Sequence, residues 1–121
     1  MSTLWHVSLL WDKYSGNAWE IGYDRRRSGV SVNLSDMERI YTGSLDPKKL
    51  SRNALFHKDL QRHLETIGYW EHKLAAYRRA PSKMPERCAI DVGYGSLIDG
   101  HHRLVAAHLI KLPRIKVEVL W

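Results

Sequence analysis

The chain has 121 residues, of which 44% are hydrophobic and 26% charged, so it suits one compact domain with a buried core. Its apolar runs are too short to span a bilayer, its first residues lack the regions of a secretory signal, and its single cysteine excludes an internal disulfide. We therefore expect a cytoplasmic protein with no membrane association. The net charge of +6 favours a polyanionic partner such as a nucleotide or nucleic acid, although charge of this size also serves solubility alone.

The beginning of the chain is predicted to form a β-hairpin over residues 4–23. Residues 4–11 are rich in aromatic and branched side chains, which favour a strand. Residues 12–17 contain a glycine and an asparagine, which are typical of turns. Residues 18–23 then alternate between apolar and polar side chains, as a returning strand does.

The middle of the chain is predicted to be helical. Ser35 followed by Glu38 matches a capping box, which would start a short helix. Leucine and isoleucine then recur at helical spacing over residues 54–67. Gly68 is expected to end that helix, before a separate helix over residues 70–79.

Two groups of arginines are candidates for contacts with a nucleic-acid backbone. They are Arg25, Arg26 and Arg27 after the predicted hairpin, and Arg78 and Arg79 after the helical segment. Clustered arginines neutralise phosphates without reading the base sequence. The alternative is that both groups are solvated basic loops.

The last third of the chain predicts a strand–turn–helix unit over residues 88–119. Two short apolar strands flank a glycine turn, a helix begins at His101, and residues 115–120 alternate as a closing strand. The order of all these elements predicts a single α+β domain over residues 1–121, with a mixed sheet and flanking helices.

The junction before the last helix has the features of an anion site. A helix N-terminus presents unpaired N–H groups and the positive end of the helix dipole, and Gly100 would let an oxyanion approach without meeting a Cβ. His101, His102 and Arg103 are possible cations where the dipole disfavours them, and a bound phosphate would offset that cost. Asp99 is a candidate Mg2+ ligand or general base, unless it only caps the helix.

A resemblance to the ParB/sulfiredoxin superfamily is carried by residues 97–119, LIDGHHRLVAAHLIKLPRIKVEV. In that family a Gly-x-x-Arg or Gly-x-His-Arg turn follows a strand and opens a helix. The resemblance covers the last quarter of the chain and implies an open, mostly β fold with flanking helices that binds nucleotide phosphate at this turn. Gly100 and Arg103 match the phosphate-binding positions, and His102 matches the histidine before the arginine.

The form of the motif narrows the activities that the resemblance implies. A sulfinic-acid reductase of this family would carry cysteine at the position of His101, so this reduction is not expected. A partitioning clamp would add an arginine-rich box and a large helical DNA-binding domain, so this activity is not expected either. The motif is most similar to those of free-serine kinases and ParB-like nucleases. It implies ATP, ADP, CTP or nucleic acid as ligand, Mg2+ as cofactor, and phosphoryl transfer or phosphodiester hydrolysis. Asp99 and His102 are the candidate catalytic residues, with Glu38 as the candidate for the kinases' glutamate.

The competing hypothesis is a non-catalytic binder. On this interpretation the chain is a small accessory or inhibitory protein of phage or plasmid type, which keeps the fold and contacts DNA or another protein. Turnover distinguishes the two hypotheses, because an enzyme consumes nucleotide or cuts DNA and a binder does neither.

Overall fold

The computed structural model describes residues 2–26 and 28–121. Within these ranges the chain forms six strands and four α-helices, and short 3₁₀ helices lie in the connections. In chain order the elements are β1 (Thr3–His6), α1 (Val7–Tyr14), β2 (Ala18–Ile21), β3 (Val30–Asn33), α2 (Leu34–Tyr41), α3 (Ala54–Ala75), β4 (Ile90–Gly93), β5 (Ser96–Asp99), α4 (His101–Leu109) and β6 (Arg114–Val119). The 3₁₀ helices are Pro47–Lys49, Pro81–Lys83 and Glu86–Cys88. The predicted α+β class is confirmed.

The main sheet is mixed, as predicted. Its four strands lie in the order β1-β6-β4-β5, with β6 antiparallel to β1 and parallel to β4, and β4 antiparallel to β5. Strands β2 and β3 form a separate antiparallel pair. The first and last strands of the chain are therefore neighbours, and β5 lies at an edge of the sheet.

The predicted hairpin over residues 4–23 is wrong. The first predicted strand is a strand only up to His6, and it pairs with β6 instead of β2. Residues 7–14 form α1, and the returning strand, β2, pairs with β3. The buried side chains of α1 are Val7, Leu10 and Tyr14, whose spacing of three and four residues is helical. This periodicity places one face of the segment in the core, and it outweighs the strand preference of the aromatic and branched residues.

The cap of α2 lies two residues before the predicted one. Asn33, not Ser35, is the N-cap, and its side chain accepts a hydrogen bond from the Asp36 N–H at 2.7 Å. The Asp36 carboxylate in turn accepts the Asn33 N–H at 3.1 Å. A capping box is present, but it is formed by an Asn/Asp pair instead of Ser35 and Glu38.

The two helices predicted on either side of Gly68 are one continuous helix, α3, of 22 residues. Gly68 lies inside it and close to α2, since a Cβ at this position would come within 3.3 Å of the Tyr41 hydroxyl. The glycine therefore permits close packing and does not end the helix. No helix in the described ranges combines the length and hydropathy needed to cross a membrane.

Helix α4 lies at the centre of the domain, as its composition requires. Its residues 104–107 are buried, and it contacts α1, α2 and α3 as well as β4. The predicted order over residues 88–119 is confirmed, except that Cys88 belongs to a 3₁₀ helix and β4 begins at Ile90. The contacts of α4 with these elements position its first turn, which carries the candidate residues.

Candidate phosphate site at the first turn of α4

Gly100 has a positive φ of 96°. A Cβ here would also lie 2.6 Å from Cγ2 of Ile90 on β4. The core therefore requires glycine at this position, in addition to the oxyanion approach that the sequence predicts. Glycine also leaves the helix without a side-chain cap.

The first turn of α4 has free main-chain donors. The first helical hydrogen bond is donated by the Leu104 N–H to the Gly100 carbonyl at 2.9 Å. The N–H groups of His101, His102 and Arg103 have no hydrogen-bond acceptor among the described residues. Three consecutive donors at the positive end of a helix dipole are suited to an anion.

Asp99 is largely exposed and does not cap α4. Its side chain accepts the N–H of Gly100 at 2.8 Å, and its other oxygen lies 3.5 Å from Nη2 of Arg103. No three acidic, histidine or cysteine side chains in the described ranges are grouped to hold a metal. A Mg2+ ion at Asp99 would therefore need phosphate oxygens and water for most of its ligands, which is common for this ion.

The Arg103 guanidinium is held by the protein itself. It donates to the carbonyls of Ala89 and, at 3.3 Å, Arg87, and lies 5.2 Å from the ring centroid of Trp70. Its side chain is only 17% exposed. Arg103 therefore attaches α4 to the segment that leads into β4, and part of its guanidinium is occupied by main-chain carbonyls.

A chain of polar contacts, one hydrogen bond and one ion pair, leads from His102 into α3. Its Nε2 lies 2.6 Å from Nδ1 of His63, and Nε2 of His63 lies 3.4 Å from the Asp59 carboxylate. That carboxylate also accepts the Gly22 N–H at 2.8 Å and Nη2 of Arg62 at 2.5 Å. Of these three residues, only His102 lies in the sequence motif; His63 and Asp59 lie on α3.

The two histidine rings lie side by side. Their planes differ by only 13°, and their centroids lie 4.9 Å apart. This separation equals the N···N distance of 2.6 Å plus the distance from each nitrogen to the centre of its ring, so the two nitrogens lie on the line between the centroids. The lone pair of one nitrogen therefore points at the other, which is the geometry of a strong hydrogen bond. Trp19, on β2, packs edge-on against both His63 and His102 and at a tilt against His101.

Burial keeps the histidines of this cluster uncharged at neutral pH. It lowers the pKa of His102 to about 4, with smaller effects from the neighbouring His63 and His101, and it lowers the pKa of those two residues as well. The expectation of three cations at the helix N-terminus is thus corrected, because only Arg103 carries charge there. The helix dipole disfavours the protonated histidines in the same direction.

Asp59 is the charged member of the chain. Burial raises its pKa, but the Gly22 N–H, the Arg62 guanidinium and the neighbouring His63 together outweigh this effect. The pKa of Asp59 therefore lies below its usual value, and the group is a carboxylate at neutral pH. A carboxylate only accepts hydrogen bonds.

Glu38 is not brought to this turn. Its carboxylate contacts Nε2 of His108, which also stacks on Trp11 with centroids 3.9 Å apart and planes within 2°. His108 follows His102 by six residues, or about 9 Å along the α4 axis. The structure therefore places Glu38 near the last turn of α4, away from Asp99 and His102.

The two arginine groups lie at opposite ends of α3. Arg25 and Arg26 are exposed in the loop after Gly22, which bonds to the second turn of α3, and Arg27 lies outside the described residues. The other end of the helix precedes a cleft of about 450 Å³, which is lined by Arg78, Arg79 and Arg114 among others. Since α3 is about 32 Å long, no small ligand can contact both groups.

Comparison of the chain with protein-family models, with curated proteins and with solved structures finds no match. The resemblance to the ParB/sulfiredoxin superfamily therefore stays a prediction, which is based on residues 97–119.

A local signal for part of the missed cluster is present in the sequence. Asp59 and His63 are four residues apart in a segment predicted as helix, so the spacing places them on the same helix face. Only the leucine and isoleucine spacing of that helix was interpreted. Trp19 gives no such signal, because its contact with His102 spans most of the chain.

Proposed function

We propose that this protein binds the phosphate of a nucleotide or nucleic acid at the first turn of α4. The observation that carries the proposal is the set of three unpaired N–H groups, on residues 101–103, at the positive end of an uncapped helix. Because Gly100 has no side chain, nothing on the N-cap residue competes with an incoming anion. Such N-termini are common phosphate sites.

The surrounding side chains suit this ligand. His101 and His102 are neutral and half-buried, so neither places a cation at the unfavourable end of the helix, and His101 can donate a hydrogen bond to the anion. Arg103 supplies the positive charge of the turn while its guanidinium stays attached to main-chain carbonyls. Asp99 is exposed beside the turn and is the candidate for a Mg2+ ion shared with the phosphate.

The reaction that we propose for the bound phosphate is phosphoryl transfer or phosphodiester hydrolysis. The motif at residues 99–103 supports it through its resemblance to free-serine kinases and ParB-like nucleases. ATP, ADP and CTP are the nucleotides that this resemblance favours. Phosphoryl transfer depends on positioning and charge neutralisation more than on covalent chemistry, so a small site is sufficient.

A substitution at the first helical position separates phosphate binding from stability. His101→Asp places a fixed carboxylate among the free N–H groups, where it stabilises the helix and competes with phosphate. We expect a higher melting temperature together with at least a tenfold weaker affinity for ATP and for inorganic phosphate, measured by calorimetry. His101→Asn, which is neutral and of similar size, is the matched control and should bind within a few-fold of the wild type.

The same experiment can overturn the proposal. The wild-type protein is titrated with inorganic phosphate, ATP, ADP, CTP, GTP and a short DNA duplex, each with and without Mg2+. If none binds, or if His101→Asp binds as well as His101→Asn, the first turn of α4 is not a phosphate site.

A non-catalytic binder is the second candidate function, and an exposed apolar patch favours it. Tyr94 and Trp121 are 82% and 84% exposed, and they are adjacent because the Tyr94 N–H donates to the Trp121 carbonyl. Ile98 is also exposed, on the edge strand β5. Exposed aromatic residues beside a free strand edge are typical of protein-binding surfaces. A partner that binds this patch, with no turnover of any nucleotide or DNA, would favour an accessory protein.

A further inference from the structure

The negative charge of Asp59 determines where the protons lie on His63 and His102. The Asp59 carboxylate can only accept, and it faces Nε2 of His63 at 3.4 Å, so it favours the tautomer of His63 with the proton on Nε2. A neutral imidazole has one N–H, which leaves a lone pair on Nδ1 of His63. Nε2 of His102 must therefore donate to it across the 2.6 Å contact.

The end of this chain is an unprotonated nitrogen. Since neutral His102 carries its proton on Nε2, its Nδ1 has a free lone pair, and no partner for Nδ1 is found among the described residues. Nδ1 is bonded to the ring carbon nearest the main chain, a few bonds from the backbone N–H of the same residue. The base and the anion donors therefore belong to one turn of helix.

We infer that Asp59, His63 and His102 form a proton relay in which Nδ1 of His102 is the general base for attack on a phosphate held at the first turn of α4. The inference rests on the proposed function and adds to it the identity of the base. In this assignment His102 is the catalytic residue, and His63 and Asp59 are positioning residues.

The proposed step moves two protons in the same direction, one from water to His102 and one from His102 to His63. A water oxygen forms a bond to phosphorus while its proton passes to Nδ1 of His102. The bond from phosphorus to the leaving oxygen breaks, and that oxygen keeps the electron pair. His102 then gives its Nε2 proton to Nδ1 of His63, where the Asp59 carboxylate stabilises the positive charge without taking the proton.

Nuclear magnetic resonance of the wild-type protein tests the relay without any ligand. Nitrogen-15 shifts should show that both His63 and His102 are protonated at Nε2 and bare at Nδ1 at pH 7. A scalar coupling should connect Nε2 of His102 with Nδ1 of His63. Protonation of His102 at Nδ1, or absence of this coupling, would overturn the relay and leave phosphate binding at α4 intact.

Substitutions then test whether the chain acts in turnover. His63→Asn keeps an acceptor for the His102 proton but cannot take that proton. Asp59→Asn removes the charge that stabilises a protonated His63, and it replaces one acceptor oxygen by an N–H donor. We expect both to lower kcat for bis(p-nitrophenyl) phosphate, p-nitrophenyl phosphate or ATP with Mg2+ by about 10²–10⁴-fold, the usual contribution of a general base. KM and the affinity for inorganic phosphate should stay unchanged. His72→Asn, at an exposed histidine of the same helix, is the matched control and should behave as the wild type.

The outcomes distinguish the relay from the phosphate site. If the wild-type protein binds phosphate but turns over none of these substrates, or if His63→Asn and Asp59→Asn keep full kcat, the relay is overturned and the histidine pair is structural. If the wild-type protein binds no phosphate, ATP or DNA, the proposed function fails and the relay fails with it. The resonance measurement remains decisive if a variant does not fold.

Discussion

The two ends of α4 use the same residue type in opposite ways. At the last turn, His108 contacts the Glu38 carboxylate and stacks flat on Trp11, and it lies where the helix dipole favours positive charge. At the first turn, His102 has no direct carboxylate partner and reaches Asp59 only through His63. The two histidines therefore differ in their surroundings: His108 has a carboxylate and an aromatic face of its own, whereas His102 is connected to its carboxylate by a second imidazole.

The largest effect at the first turn is expected from Gly100→Ala. The new Cβ meets Ile90 at 2.6 Å and must also adopt a φ of 96°, so we expect a loss of about 2–4 kcal/mol in unfolding free energy. Gly95→Ala is the control, since Gly95 has a φ of 77° but open space around it, and it should cost about 1 kcal/mol. Urea denaturation measures both. Equal losses would mean that backbone strain alone explains Gly100.

Arg103→Ala should lower the stability by about 2 kcal/mol, because the guanidinium bonds to the Ala89 carbonyl and lies against Trp70. Arg103→Lys, which keeps the charge without the planar fork, should recover only part of this loss. Thermal denaturation and phosphate titration are compared on the same samples. If Arg103→Ala instead keeps its stability but binds phosphate about 1.5–3 kcal/mol more weakly, the result would support the phosphate-binding role that the family resemblance implies for Arg103.

The pH dependence of stability should distinguish the first turn from the rest of the helix. His102 has a folded pKa of about 4 against an ordinary value of 6.5, so below pH 6.5 the unfolded chain takes up this proton first. The unfolding free energy should therefore fall between about pH 6.5 and pH 4 and receive no further change from His102 below that range. His63 and His101 act in the same direction.

For His102 alone we expect a loss of roughly 2 kcal/mol across this window, after a discount for its partial exposure. Denaturation of wild type and His102→Asn at a series of pH values measures it. The variant should show a shallower slope. An identical slope in the two proteins would mean that folding does not lower the pKa of His102, and that burial does not hold this ring neutral below pH 6.5.

The smallest effect is expected at the last turn. Glu38→Gln removes the charge that faces His108 in a partly exposed pair, so it should cost no more than about 1 kcal/mol. Phosphate affinity and any turnover should not change. Loss of turnover in a stable Glu38→Gln protein would show that Glu38 is catalytic, as the resemblance to kinases implies, and the contrast between the two ends of α4 would no longer hold.

Elements that are marked by local sequence patterns match their predictions, whereas elements that depend on contacts distant in sequence do not. In residues 88–119 each element carries its own local marks, namely apolar strands, glycine turns and a proline after the helix, and the structure has the predicted order. In residues 4–23 the composition favours strands, while the helical spacing of Val7, Leu10 and Tyr14 becomes decisive only once the core that they face exists. Gly68 was misjudged for a similar reason, because its packing partner lies on α2.

The sequence by itself determined the last helix, the glycine turn before it and the row of candidate residues that opens it. These depend on bonds and sterics within a few residues. Only the tertiary structure decided that His102 meets His63, 39 residues away in the chain, and that burial under Trp19 keeps both rings neutral. Protonation state and hydrogen-bond partner depend on what the fold places around a side chain, and no local pattern contains that information.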